Sequence, residues 1–103
     1  MELTILERLT LLTTLPESGD ITTIRIVRKL REMLSLNEAE FAEHKVEVLP
    51  GGRTKWEDDR EYTIEFGAKA REIAVAALEA LDKAGTVEDR HISLFDKFGI
   101  DVD

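Results

Sequence analysis

Residues 67–84, GAKAREIAVAALEALDKA, decide how the chain is read. Ala70, Ile73, Ala74, Ala77, Leu78 and Leu81 recur at i, i+3, i+4, i+7, i+8 and i+11, one stripe of an α-helix. Lys69, Glu72, Glu79, Asp82 and Lys83 lie mainly off that stripe, and Gly85 supplies a left-handed stop. Alanine at so many stripe positions lets a neighbouring helix come close and interdigitate its larger side chains. The stretch is therefore expected to be the post on which the other elements pack.

Working outward toward the N-terminus, Leu3, Ile5, Leu6, Leu9, Leu11, Leu12 and Leu15 cover more than half the circumference of a helix expected over 2–15. A helix this broadly apolar must be covered, either centrally in its own fold or by a partner subunit. Pro16 ends it, and PESGD forms a short polar connection. Asp20 is placed to cap a second helix over 21–34, with Ile24, Val27, Leu30, Met33 and Leu34 on its buried side. Its outer face carries Arg25, Arg28, Lys29 and Arg31, which read either as a phosphate- or acid-binding strip or as cations paired with Glu32 and other acidic neighbours. Ser35 offers a cap for a short acidic helix over 36–43 anchored by Phe41.

Between residues 45 and 66 the pattern changes to period two. Val46 and Val48 alternate with charged residues, PGG supplies a turn, and Tyr62, Ile64 and Phe66 alternate with Thr63 and Glu65. Strands are expected over 46–49, 53–56 and 61–66, forming a small antiparallel sheet of two or three strands, a hairpin or a three-strand insertion, that leans on the helices, with Trp56 covering the joint. After the post helix, Thr86 is placed to cap a last helix over 87–98, ended by Gly99, with IDVD as a mobile acidic terminus. The fold class is thus mainly α with a small antiparallel β-sheet, in one domain spanning 1–103.

Composition bounds the function. The 103 residues carry 22 acidic and 14 basic side chains, a net charge of −8, which disfavours nucleic acid and anionic lipid as partners. No cysteine is present, which removes disulfides, thiolate metal sites and cysteine nucleophiles. Glu2 and Glu7 interrupt the first apolar run, so no signal peptide or membrane span is expected, and a cytoplasmic setting is the default. For chemistry, Glu40 and His44 sit four apart as a two-ligand metal pair at most, with a solvated surface histidine as the simpler reading. Asp89 and His91, two apart on a helix, point to different sides. The PGGR turn lacks Walker spacing, and no GxSxG occurs. Neither an enzyme nor a cofactor or metal site is expected.

Three pieces, ERLTLLTTLPESGDITTIRIVRKLREMLSL (7–36), WEDDREYTIEFG (56–67) and EDRHISLFDKF (88–98), resemble small acidic phage and prophage proteins. Such proteins share a leucine-rich opening helix, an LPxxG connection, an LRxxLS helix and a closing HxSLxxKF. The resemblance implies origin in a phage or mobile element, with no assigned function and no site residue to transfer. Two binding roles follow. The first is self-association, with a dimer as the expected state, or docking to a host or phage protein. Its candidate surface comprises Leu9, Leu12, Arg25, Arg28, Lys29, Trp56, Glu57, Asp58 and Asp59. The second is an acidic inhibitor that presents carboxylates of 38–47 and 57–65 in place of nucleic acid. A winged-helix DNA binder with Arg53 and Lys55 on the wing is a third reading. It is opposed by Glu38, Glu40 and Glu43 on the helix that would face phosphates.

Overall fold

A computed structural model of the protein describes residues 1–57 and 60–100. The chain is mainly helical, with two small antiparallel sheets. In order, the elements are β1 (Glu2–Leu3), α1 (Ile5–Thr14), α2 (Ile21–Leu34), α3 (Glu38–Glu43), β2 (Glu47–Leu49), β3 (Arg53–Lys55), β4 (Tyr62–Thr63) and α4 (Ala68–Ala84). A single 3-10 turn (Asp89–His91) and α5 (Ile92–Phe98) close the sequence of elements.

The opening helix starts three residues later than its apolar run suggests. Thr4 accepts from the Glu7 backbone N–H at 3.1 Å while the Glu7 carboxylate accepts from the Thr4 N–H at 2.9 Å. This reciprocal cap holds Thr4 in extended geometry and leaves Glu2 and Leu3 free to pair as a strand. Their partner is β4, with Glu2 opposite Thr63 and Leu3 opposite Tyr62. Of the two arrangements expected for 45–66 the hairpin is the one that forms, from β2 and β3, and the strand at Tyr62–Thr63 belongs to a separate sheet. Every residue of both hairpin strands is exposed, so the hairpin does not lean on the helices. Trp56 is half-buried and outside the hydrophobic core, so it does not cover that joint.

Two caps also differ from expectation. Asn37, not Ser35, caps α3, through a reciprocal pair with Glu40, and Ser35 instead closes α2 by donating its hydroxyl to the Arg31 carbonyl at 2.6 Å. Thr86 does not open the last helix. Its backbone N–H donates to the Leu81 carbonyl at 3.0 Å, which completes the C-terminus of α4 after Gly85 turns left-handed at φ 70°. The last helix is consequently broken into the 3-10 turn and α5.

The core gathers Leu3, Leu11, Leu15, Val27, Leu30, Leu34, Ile64, Ala74, Leu78, Leu94, Phe95 and Phe98. Central position covers most of α1's broad apolar surface, while Leu6 stays exposed. The helix touches α2, α4, the 3-10 turn and α5, and Ile5, Leu11 and Leu15 are buried. Leu9 is half-buried, as is Leu12, which packs against the core. Helix α4 packs on α2 and α1 with Ala74 and Leu78 fully buried. Phe98 locks the far end, edge-on to Phe66 at 5.4 Å, while Arg71 donates to its carbonyl at 2.6 Å. The terminus expected to be mobile, 100–103, is not so at its first residue, since Ile100 packs against the core; 101–103 lie outside the described residues.

Candidate interaction surface

Two polar networks join the secondary elements, and each uses its charged groups internally. The first centres on Arg8, whose guanidinium is buried under α2 and α3. Its Nε donates to the Leu34 carbonyl at 3.0 Å, and its terminal nitrogens donate to Ser35 O at 2.8 Å and to both Glu40 oxygens at 2.7 and 3.3 Å. One side chain thus satisfies orphan carbonyls at the end of α2 and neutralises the capping carboxylate of α3. The Arg8 guanidinium also lies 5.5 Å from the centre of the Tyr62 ring.

Tyr62 passes the network to His44, which is fully buried rather than solvated. The Nδ1 of His44 lies 2.9 Å from the Glu57 carbonyl, which can only accept, so Nδ1 carries the proton in the neutral ring. Nε2 is then the acceptor for the Tyr62 hydroxyl at 2.5 Å. The Glu57 N–H returns a bond to the His44 carbonyl at 2.7 Å, and together these contacts pin the stem of the hairpin. Burial, then the Glu43 carboxylate, holds the Tyr62 hydroxyl above its ordinary pKa, which keeps it a donor. Glu40 is committed to Arg8, so Glu40 and His44 do not form a metal pair, and no group of three or more acidic or histidine ligands occurs among the described residues. His91 is buried too. Its Nδ1 accepts the Glu88 backbone N–H at 2.9 Å, so its partner is not Asp89.

The second network centres on Lys97, which donates to Glu2 O at 2.8 Å, Glu7 Oε1 at 2.7 Å and Glu61 Oε2 at 2.5 Å. All three ammonium protons are used, tying α5 to β1, α1 and the approach to β4. No buried side-chain nitrogen or oxygen among the described residues lacks a partner. These groups are spent on holding elements together and present no unpaired donor to a ligand.

The two networks set the pH range of stability. Hydrogen bonds from Arg8 hold the Glu40 carboxyl below its ordinary 4.5. Burial pushes Glu7 upward, but hydrogen bonds from Lys97, the Thr4 backbone and Ser93 outweigh it and leave Glu7 below 4.5. Burial works against the Lys97 charge, yet its bonds to Glu61 and Glu7 raise it above 10.5. A depressed carboxyl stabilises the fold above its unfolded value and loses that contribution as pH falls through its folded value. A raised amine contributes below its unfolded value and loses its share as pH climbs through the folded one. The urea midpoint is therefore expected to hold between pH 4.5 and 10.5 and to decline on both sides. Glu40→Gln should flatten the acid limb. An acid limb equally steep in that variant would remove Glu40 from this account.

The remaining surface is where a partner can bind. Arg25, Arg28 and Lys29 are exposed and make no ion pair with any described residue, Glu32 included, so internal neutralisation does not account for them. Beside them opens a cleft of 440 Å³ whose floor is Pro16, Ile24 and Val27 and whose rim is Arg28 and Arg31, with Glu17 and Glu32. Across Pro16 lies a second groove of 580 Å³ along α4, lined by Ile73, Ala76, Ala77, Ala80 and Leu81. Pro16 is a wall of both, so the two form one continuous face on α2, the α1–α2 connection and α4.

The candidate residues thus scatter. Leu12 packs against the core and Leu9 is half-buried, Arg28 lines the cleft on α2, and Arg25 and Lys29 are exposed on the same helix outside its lining. Trp56 lines a separate shallow cleft with Leu49, Arg53 and Lys55 on the hairpin. Glu57 is exposed and reaches Lys45 at 3.5 Å, while Asp58 and Asp59 lie outside the described residues. The α4 groove was missed because alanine reads as packing surface. Its signal is the extra apolar flank of Ala76, Ala80 and Ala84 beside the main stripe. No protein family, curated protein or solved structure matches the chain. No helix among the described residues is long and apolar enough to cross a membrane.

Proposed function

We propose that this chain is a non-catalytic protein-interaction module of a phage or mobile element, acting through self-association. The observation that carries the reading is the continuous face on either side of Pro16, where apolar side chains of α2 and α4 line open clefts. Contiguous exposed apolar surface of this kind marks contact sites in folded proteins. Glu40, His44 and Glu7, the side chains of a kind used in chemistry, are occupied in structural contacts. The mobile-element origin is supported by the order of sequence pieces described above.

Absolute mass by light scattering across protein concentration tests this directly. The expected result is a rise from the 11.7 kDa of one chain toward twice that value. A mass fixed at 11.7 kDa up to millimolar protein would end the self-association reading. The search would then turn to other partners of the same face.

A further inference from the structure

We propose that the cleft between the hairpin and Trp56 binds a small anion carrying a flat ring, a nucleoside phosphate in chemical class. It shares no residue with the face divided by Pro16 and does not rest on the self-association reading. The cleft measures 430 Å³ and is lined by Leu49, Arg53, Thr54, Lys55 and Trp56. Among the described residues, its lining thus holds two cations and no carboxylate.

Those cations are uncommitted. Arg53 and Lys55 lie two apart on β3, so their side chains leave one face of the strand roughly 7 Å apart. Neither makes an ion pair with any described residue, in a chain that carries 22 acidic side chains. Glu47 stands opposite Lys55 in the ladder, yet no ion pair closes between them. Two single charges on one face suit a phosphate, which carries close to two negative charges and offers three acceptor oxygens. A carboxylate would leave one cation unmatched. Trp56 supplies the second half of the site, because an indole face stacks on any flat ring, and Leu49 adds an apolar wall.

The mounting of the hairpin points the same way. Every residue of β2 and β3 is exposed, so neither strand contributes to the core. The stem is nevertheless clasped by the fully buried His44, which bonds the Glu57 carbonyl, the Glu57 N–H and the Tyr62 hydroxyl. Trp56 lies between β3 and Glu57, so its backbone is held by this clasp. A hairpin that buries nothing but is fixed at its root presents its side chains to solvent on a rigid mount, as binding groups require. The cleft has room for one nucleotide. A strand running past it would meet a surface of net charge −8, which selects the single unit over the polyanion.

Trp56 is the only tryptophan, so its fluorescence reports on this cleft alone. Adenosine monophosphate titrated into the full chain at low salt is expected to quench that emission saturably. Adenosine and inorganic phosphate should each bind at least roughly tenfold more weakly, since each makes half of the contacts. Arg53→Gln and Lys55→Gln should each weaken nucleotide binding by roughly tenfold. Both positions are exposed, so circular dichroism should show an unchanged fold. Arg25→Gln removes the same charge outside the cleft and should alter binding by no more than about twofold. Absence of saturable quenching up to about 10 mM nucleotide overturns the site. Equal weakening by Arg25→Gln also overturns it, by reducing the effect to overall charge. Inorganic phosphate binding as tightly as the nucleotide overturns the role of the ring. A short oligothymidylate binding far more tightly than the mononucleotide overturns the single unit and gives the cleft to a nucleic-acid strand.

Discussion

Arg8→Ala is expected to lower the free energy of unfolding by about 3–5 kcal/mol, the usual cost of removing one member of a buried ion pair. The size follows from what is left behind. The Glu40 carboxylate, itself mostly buried, loses its counter-charge, and the carbonyls of Leu34 and Ser35 lose their donor with little water to replace it. Arg8→Lys should fall between wild type and alanine. An ammonium keeps the charge but lacks the planar fork that reaches the carboxylate and two carbonyls together. Glu40→Gln should cost less than Arg8→Ala, because it leaves a neutral acceptor opposite the guanidinium and keeps the Leu34 and Ser35 bonds. Urea unfolding measures all three, with a midpoint drop of about 2 M for Arg8→Ala at the slope of a small domain. A loss below about 1 kcal/mol would mean that solvent reaches these carbonyls and that α3 is not held through Arg8.

Leu78→Ala is the second large effect, expected at about 3 kcal/mol or more. Leu78 is fully buried on α4, at the junction with α1 and α2, where lost transfer free energy and an unfilled cavity add. The control lies two residues along the same helix. Ala80→Leu adds a side chain to the open groove, not to the core, and should change monomer stability by no more than about 0.5 kcal/mol. Equal losses from the two substitutions would place Ala80 inside and contradict the open groove. Thermal or urea denaturation of the pair, run at a protein concentration below any association, separates these outcomes.

Much of the fold was readable along the chain because its strongest signals are local. The stripe from Ala70 to Leu81, the Asp20 cap and the Gly85 stop each depend on residues within a few positions of one another. Thr4 and Glu7 formed an equally local signal, a reciprocal cap that sets the true start of α1 against a leucine run continuing past it. The exposed cations of α2 were also readable as a group, since helical spacing alone puts Arg25, Arg28 and Lys29 on one face.

Pairings between distant residues were decided only by the tertiary structure. Nothing near Tyr62 says that its strand partner is Leu3 rather than the hairpin, because strand register is a choice among remote segments. His44 sits among charged neighbours and reads as a surface residue, yet it is buried because Tyr62 and Glu57 close on its two ring nitrogens. The apolar excess of α1 has two solutions in sequence, an internal position or a subunit interface, and the surrounding helices bury Ile5, Leu11 and Leu15 while Leu6 stays exposed. Sequence periodicity determines which residues of a helix share a face, whereas the neighbours that cover that face are settled by the competition of all elements for one core.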